Sequence, residues 1–312
     1  MTTTTAERAK RPGILALGAA TAGAMAAATM GSVPTANATC ASFFGIGSGG
    51  NCTSTLTSIA IAIGENAEAH AEGILGAALT WGNSSRAIAA TGGLANLAVS
   101  LGDSNLAYAG GIASLAFAGR STTNQMIFAG LGDATSGSVG NIAVSIASPE
   151  STSVTAAGLG NLAVNIAGSG SIISQGVGLT TINLVGLDAS LNNRGTLNAI
   201  ANVSGDNISI RNDEGDGGIG NLGFNFIGEN NLISTRGVLA LGGAIGSTGQ
   251  TVSQDGPGVN IAFGRNAVAP GSAKKSSPFA ASSVSTPGAT ADDSKGNRKA
   301  RGSQARANRD NR

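Results

Sequence analysis

Two stretches twenty residues apart decide the fold: Gly140–Ala147 reads GNIAVSIA, and Gly160–Ala167 reads GNLAVNIA. Gly220 opens a third version, GNLGFNFIG. Earlier copies are NLAVSLG from Asn96, NLAYAGG from Asn105 and SLAFAG from Ser114, and a late one is NIAFG from Asn260. Looser copies begin at Ser58, Met126, Thr181 and Val238. Several neighbouring copies lie about half the first distance apart, so one repeating unit holds two of them.

Within NLAVNIA the side chains of Leu162, Val164 and Ile166 alternate with those of Asn161, Ala163 and Asn165. Period-two alternation closed by turn residues predicts a short strand in each copy. Glycine recurs too often for helix interiors, where each costs nearly 1 kcal/mol relative to alanine. Only NAEAHAEGILGAAL, from Asn66 to Leu79, offers a helix as a competitor.

Strands this short cannot bury a core alone, but stacked coils can share one. The expected fold is therefore all-β: a parallel β-solenoid (β-roll or β-helix) of about 20-residue coils. Some eleven coils at a strand spacing of about 4.8 Å would span near 50 Å. The expected interior is the aliphatic column containing Leu162, Val164 and Ile166, so Val164→Asp should unfold several coils. Asparagine at the start of each copy is read as a turn residue in preference to a stacked ladder, and in either reading Asn161 is expected to be replaceable at little cost.

Composition points the same way. The 312 residues include 49 glycines, with 3% aromatic and 11% charged residues, far from ordinary globular usage. Such a chain supplies little apolar area per residue to set against about 1–2 kcal/mol of backbone entropy for each residue ordered. Regular stacking answers that shortage better than irregular packing.

The net charge of +1 conceals three segments. Residues 1–38 carry Arg8, Lys10 and Arg11, then the small apolar run Gly13–Ala28, then Ala36, Asn37 and Ala38. This order predicts a secretory signal cleaved after Ala38, too short and too weakly apolar for a good membrane span. An uncleaved anchor and a lipoprotein signal at Cys40 are the lesser readings. Residues 39–57 form an expected N-terminal cap in which Cys40 and Cys52, the only cysteines, close a disulfide loop. The loop-entropy model gives such a staple about 3 kcal/mol. Residues 58–270 are the expected solenoid. From Thr39 to Pro270 there are six arginines, no lysine and thirteen acidic residues, a balance of −7. Residues 271–312 are expected to be disordered: nine basic residues, Lys274, Lys275, Arg298, Lys299 and Arg301 among them, face three acidic ones, a balance of +6. That tail suits electrostatic contact with an anionic partner.

The runs SIAIAIGENAEAHAEG from Ser58, NLAVSLGDSNLAYAGG from Asn96 and NIAFGRNAVAPG from Asn260 resemble the head repeats of trimeric autotransporter adhesins. Those repeats share the form of a short aliphatic strand, a glycine, a polar residue and an Asn/Ser-Ala pair. The resemblance implies a left-handed parallel β-roll, three chains side by side as a homotrimer, and attachment to host matrix or cell surfaces. It weakens between Gly119 and Gly256, where the period lengthens. The chain also departs from that family in having no heptad stalk, and a polar basic tail stands where the family has a membrane β-barrel. Self-anchoring in an outer membrane is therefore not implied. The Ala/Gly/Asn bias is similar to that of glycine-rich secreted surface proteins of actinobacteria, mycobacteria included, without the Pro-Glu N-terminal domain of one such group.

Chemistry-bearing motifs are sparse. GIGNLG at Gly218–Gly223 fits a dinucleotide fingerprint in form, but a strand-like run follows it where a helix is needed. RNDEGDGG, from Arg211 to Gly218, gathers Asp213, Glu214 and Asp216 beside glycines. These are the candidate ligands of a calcium ion, weighed against a solvated turn. The single histidine, His70, and the carboxylate pairs Glu65/Glu68 and Asp213/Asp216 make no recognisable catalytic set. Trp81 and Tyr108 could stack on a sugar or simply pack. No catalytic residue and no cofactor beyond that calcium are expected. No specific nucleic-acid partner is expected either, since the basic tail lacks interleaved aromatics. The functional expectation is a secreted, non-enzymatic, surface or extracellular structural or adhesive protein, with an envelope polymer or a host surface as partner. The alternatives are a polysaccharide-active solenoid enzyme and a low-complexity chain without a defined fold.

Overall fold

A computed structural model describes residues 39–48, 50–120, 124–130, 137–212 and 218–264. The predicted signal segment, the last residues of the predicted solenoid range and the predicted tail fall outside them. The chain divides into a unit ending at Pro270 and a second unit, Gly271–Arg312, none of which is described.

All regular elements among the described residues are strands, and the chain is a parallel β-solenoid. Alternate strands enter one or the other of two sheets, of 13 and 11 strands. Each strand bonds in register to the strand one coil later. Ile142–Ile146, for example, lies between Leu115–Ala118 and Leu162–Ile166, with Val144 beside Phe117 and Val164. Ten such steps carry the 13-stranded sheet from Ile59 to Val259, so the mean coil has the length of the repeat read from the sequence. The expected lengthening between Gly119 and Gly256 is confined to two coils. The steps from Leu115 to Ile142 and from Ala199 to Leu222 exceed the mean, while the step from Leu162 to Thr180 falls below it. The Asn66–Leu79 stretch forms parts of two strands, Glu68–Ala71 and Ala77–Trp81, and no helix.

The first coil is built differently. Thr39–Phe43 runs antiparallel to both Ile46–Ser48 and Ile59–Ile63, so a hairpin closes that end of the sheet. Cys40 and Cys52 are both buried and disulfide-bonded, with Cα atoms 5.6 Å apart. Cys40 belongs to the 13-stranded sheet and Cys52 to the other, so the bond ties the two sheets together at their first strands.

The interior reverses the expected orientation of the side chains. Ala163 and Asn165 point inward and are fully buried, whereas Leu162 and Val164 are half-buried and Ile166 is exposed on the outer surface. The same holds coil after coil: Ala60, Ala78, Ala98, Ala116, Ala143 and Ala163 stack inside the 13-stranded sheet. The reason is space. Two facing strands joined by tight corners leave a slot that alanine fills and a Leu–Leu pair would overfill. In two coils a larger inward residue of the 11-stranded sheet meets a glycine of the other. A Cβ on Gly223 would come within 2.7 Å of Ile210 Cγ2, and one on Gly242 within 2.9 Å of Thr235 Cγ2. The column expected to be the core is thus the outer face.

Asparagines fill the rest of the slot, and the preference for turns over a ladder is corrected. The left-handed backbone falls on the residue before: Gly160 and Gly220, ahead of Asn161 and Asn221, have φ 64° and 69°, and Leu197, ahead of Asn198, has φ 54°. Asn161 follows the turn, is 1% exposed, and its side-chain amide donates to the carbonyls of Ala157 and Gly176. Its Oδ1 accepts the Leu179 N–H at 2.9 Å, and its own N–H donates to Asn141 Oδ1 at 3.2 Å. Asn161 is therefore not expendable. A second line runs straight through the interior: Asn183 Nδ2 donates to Asn165 Oδ1, Asn202 Nδ2 to Asn183 Oδ1 and Asn225 Nδ2 to Asn202 Oδ1, each at 2.8 Å. These bonds let a core poor in hydrocarbon pair most of its polar groups, and they lock each coil to the next.

Candidate interaction face

The eleven parallel-paired strands of the 13-stranded sheet, from Ile59–Ile63 to Gly258–Phe263, contain no Asp, Glu, Lys or Arg. Their outward residues form three columns. One passes through Leu97, Leu115, Ile142 and Leu162, the next through Val99, Phe117, Val144 and Val164. The third holds Ile63, Trp81 and Leu101 near one end of the sheet and Phe226, Ile245 and Phe263 near the other. Many stand well into solvent: Trp81 is 64% exposed, Phe226 45% and Phe263 70%. Gly243 leaves room for the Phe224 ring, which occupies the place a Cβ there would need. The face measures roughly 50 Å by roughly 15 Å, from about 4.8 Å per strand and two side-chain steps along each strand. That is on the order of 750 Å², above the roughly 300–600 Å² of the largest apolar patch on a typical monomer.

The charged residues among those described lie elsewhere, on the other sheet and at the corners. On the outer side of the 11-stranded sheet, Glu68 receives Arg86 Nε at 3.0 Å and lies 3.6 Å from His70 Nε2. His70 Nδ1 is 2.8 Å from Thr53 Oγ1. The histidine is thus held among surface partners, and Glu65, at the preceding corner, is joined by its N–H to Asn83 rather than to this group. Further along that outer side come Arg194, Arg211, Arg236 and Asp255, interspersed with Ser153, Ser171, Ser190 and Ser209.

No family model, curated protein or solved structure matches the chain.

The other motifs resolve as follows. Ile219, in GIGNLG, sits at a corner and bridges Thr196 and Val238, and Leu222–Phe226 follows as a strand, so the glycines serve the coil turn. Asp213, Glu214 and Asp216 lie outside the described residues, as do Lys274, Lys275, Arg298, Lys299 and Arg301. Among the described residues no three His, Cys, Asp or Glu side chains gather as a metal group would. The two aromatic candidates part company. Tyr108 lies on the outer side of the 11-stranded sheet with its ring 6.0 Å from that of Phe128, while Trp81 stands at the margin of the aliphatic face. Sequence reasoning missed the face as a site because it took those aliphatics for the core. The available signal was variability between copies. The Ala98, Ala116, Ala143, Ala163 position keeps one residue, whereas its neighbour runs through Val99, Phe117, Val144 and Val164.

Proposed function

We propose that the chain is an exported, non-catalytic surface protein, structural or adhesive, whose contact surface is the outward aliphatic face of the 13-stranded sheet. That face is the observation that carries the reading. Its first occupant is a second copy of the same chain. Roughly 750 Å² on one side is close to the ~800 Å² each partner contributes to a standard interface, and an uncharged face meets its own copy without repulsion. The chain's own tail is a poor cover for it: Phe279 is the only large aromatic or aliphatic residue there besides Val284. A closed ring of three copies agrees with the resemblance to trimeric adhesin heads. The basic segment after Pro270 is the tether to an anionic envelope polymer or host matrix.

Sedimentation equilibrium of the full chain tests the association. The expected result is an oligomer that Val144→Asp and Val164→Asp convert to a monomer with unchanged strand content. A monomeric wild-type chain at tens of micromolar would overturn it. Retention in the envelope fraction, lost on deleting Gly271–Arg312, tests the tether.

A further inference from the structure

Beside the aliphatic face, at the corner where its strands turn toward the other sheet, lies a groove of about 710 Å³. Its construction follows from local sequence. In three successive coils a strand ends in a large apolar residue, a glycine and a polar corner: Ile63-Gly64-Glu65, Trp81-Gly82-Asn83 and Leu101-Gly102-Asp103. The glycines have φ 137°, 147° and 102°, and a Cβ on either of the first two would strike the carbonyl of the next. They stack as a bare backbone floor. Ile63, Trp81 and Leu101 make one wall, and Asn83 and Asp103 the other. In the next coil the Leu101 position is Gly119, so the apolar wall stops, and Arg120 stands at that end.

The polar wall is held in place on one side and open on the other. Asp103 Oδ1 accepts the Asn83 N–H at 2.7 Å, and Asn83 Oδ1 accepts the Glu65 N–H at 3.0 Å. Among the described residues, the second Asp103 oxygen, Asn83 Nδ2 and Arg120 have no hydrogen-bond or ion-pair partner. An exposed indole face opposite a carboxylate, an amide and a guanidinium suits a ligand that is apolar on one face and rich in hydroxyls at its edge. We propose that this groove binds a neutral saccharide chain. One pyranose ring would stack on Trp81, its vicinal hydroxyls would donate to Asp103, and Asn83 and Arg120 would donate to the remaining oxygens. Three coils span about 10 Å, the reach of a short oligosaccharide. An anionic ligand is disfavoured by Asp103. Asp103 is the one carboxylate lining the groove, and binding is the role proposed for the site.

The groove shares Ile63, Trp81 and Leu101 with one end of the face proposed for association, but its polar wall, Asn83, Asp103 and Arg120, lies outside that face, so variants of the polar wall test the groove separately. Trp81 is the only tryptophan in the chain, so its fluorescence reports on this end of the sheet, and sedimentation of the same samples separates ligand binding from a change in association. Titration of the full chain with cellotetraose, chitotetraose and maltotetraose should give a saturable change in emission with at least one of them. Calorimetry with that oligomer should show binding lost in Trp81→Ala, partly kept in Trp81→Phe, and weakened about tenfold in Asp103→Ala and Arg120→Ala, all at wild-type strand content. If none of the three saturates, or if binding survives Trp81→Ala and Asp103→Ala, the proposal is wrong. Sedimentation of the same samples keeps the oligomeric state in view, so a failed titration leaves the association result standing.

Discussion

The reversal of inside and outside can be tested at two adjacent residues. Ala163 is fully buried between Ala143 and Thr181 in the neighbouring coils, and Val164 is half-buried between Val144 and Ile182 on the outer face. Ala163→Leu drives three extra carbons into a slot that closes on alanine. Overpacking of this kind costs about 1–3 kcal/mol, and the fixed strand spacing leaves no easy direction for relief, so the upper part of that range applies. Val164→Asp keeps its charge in water and forfeits only part of a valine's burial and strand preference, about 1 kcal/mol together. In urea melts followed by far-ultraviolet circular dichroism, with the protein dilute enough to be monomeric, Ala163→Leu should therefore lose two to three times as much stability as Val164→Asp. For a chain of this size about 1 kcal/mol moves the midpoint by roughly 2–4 °C, which separates the two variants thermally as well. The opposite order, with Val164→Asp unfolding the coils and Ala163→Leu harmless, would refute the assignment of the alanine column to the interior.

Asn183→Ala removes two hydrogen bonds at 2.8 Å and one at 3.3 Å and leaves Asn165 Oδ1 buried without its donor, so it should cost about 3 kcal/mol in the same melts. Ala95 is an exposed non-glycine residue at φ 56°, and Ala95→Gly should raise stability by up to about 1 kcal/mol, read as a higher thermal midpoint. Replacing Cys40 and Cys52 by serine should cost about 3 kcal/mol, with hydrogen exchange quickening in the first coils and unchanged near Val252.

Much of the architecture was legible in the chain before any coordinates. The Gly-Asn-Leu-Ala phrase, its period and its short alternation were enough to predict stacked two-stranded coils of the right length, because strand geometry and turn chemistry are local. The two cysteines were legible too, since a pair in a chain with no other has only one partner to choose. Orientation was not local. Alternation says that Val164 and Ala163 face opposite ways, but which way depends on the distance between the sheets, and that distance is set by the whole coil. The rule that larger aliphatics go inside assumes a core wide enough to hold them. Asn161 was misplaced for a related reason. Asparagine tolerates left-handed turns, yet here Gly160 takes the turn and frees the amide to serve the carbonyls beside it. The groove at Trp81 needed three corners to be stacked before its walls could meet, so sequence reasoning held only the ring.

Because each coil presents the same strand register to the coil before and after it, the column can change length without changing pattern. Excising Ala143–Leu162 would join Ile142 to Ala163, two neighbouring positions of the repeat, and bring Leu115–Ala118 next to a strand equivalent to the one removed. At the level of the gene this is a slip of one repeat in frame. Inheritance can therefore adjust the reach of this protein in increments of about 4.8 Å, the strand spacing, while the hairpin and disulfide at its first coil stay as they are.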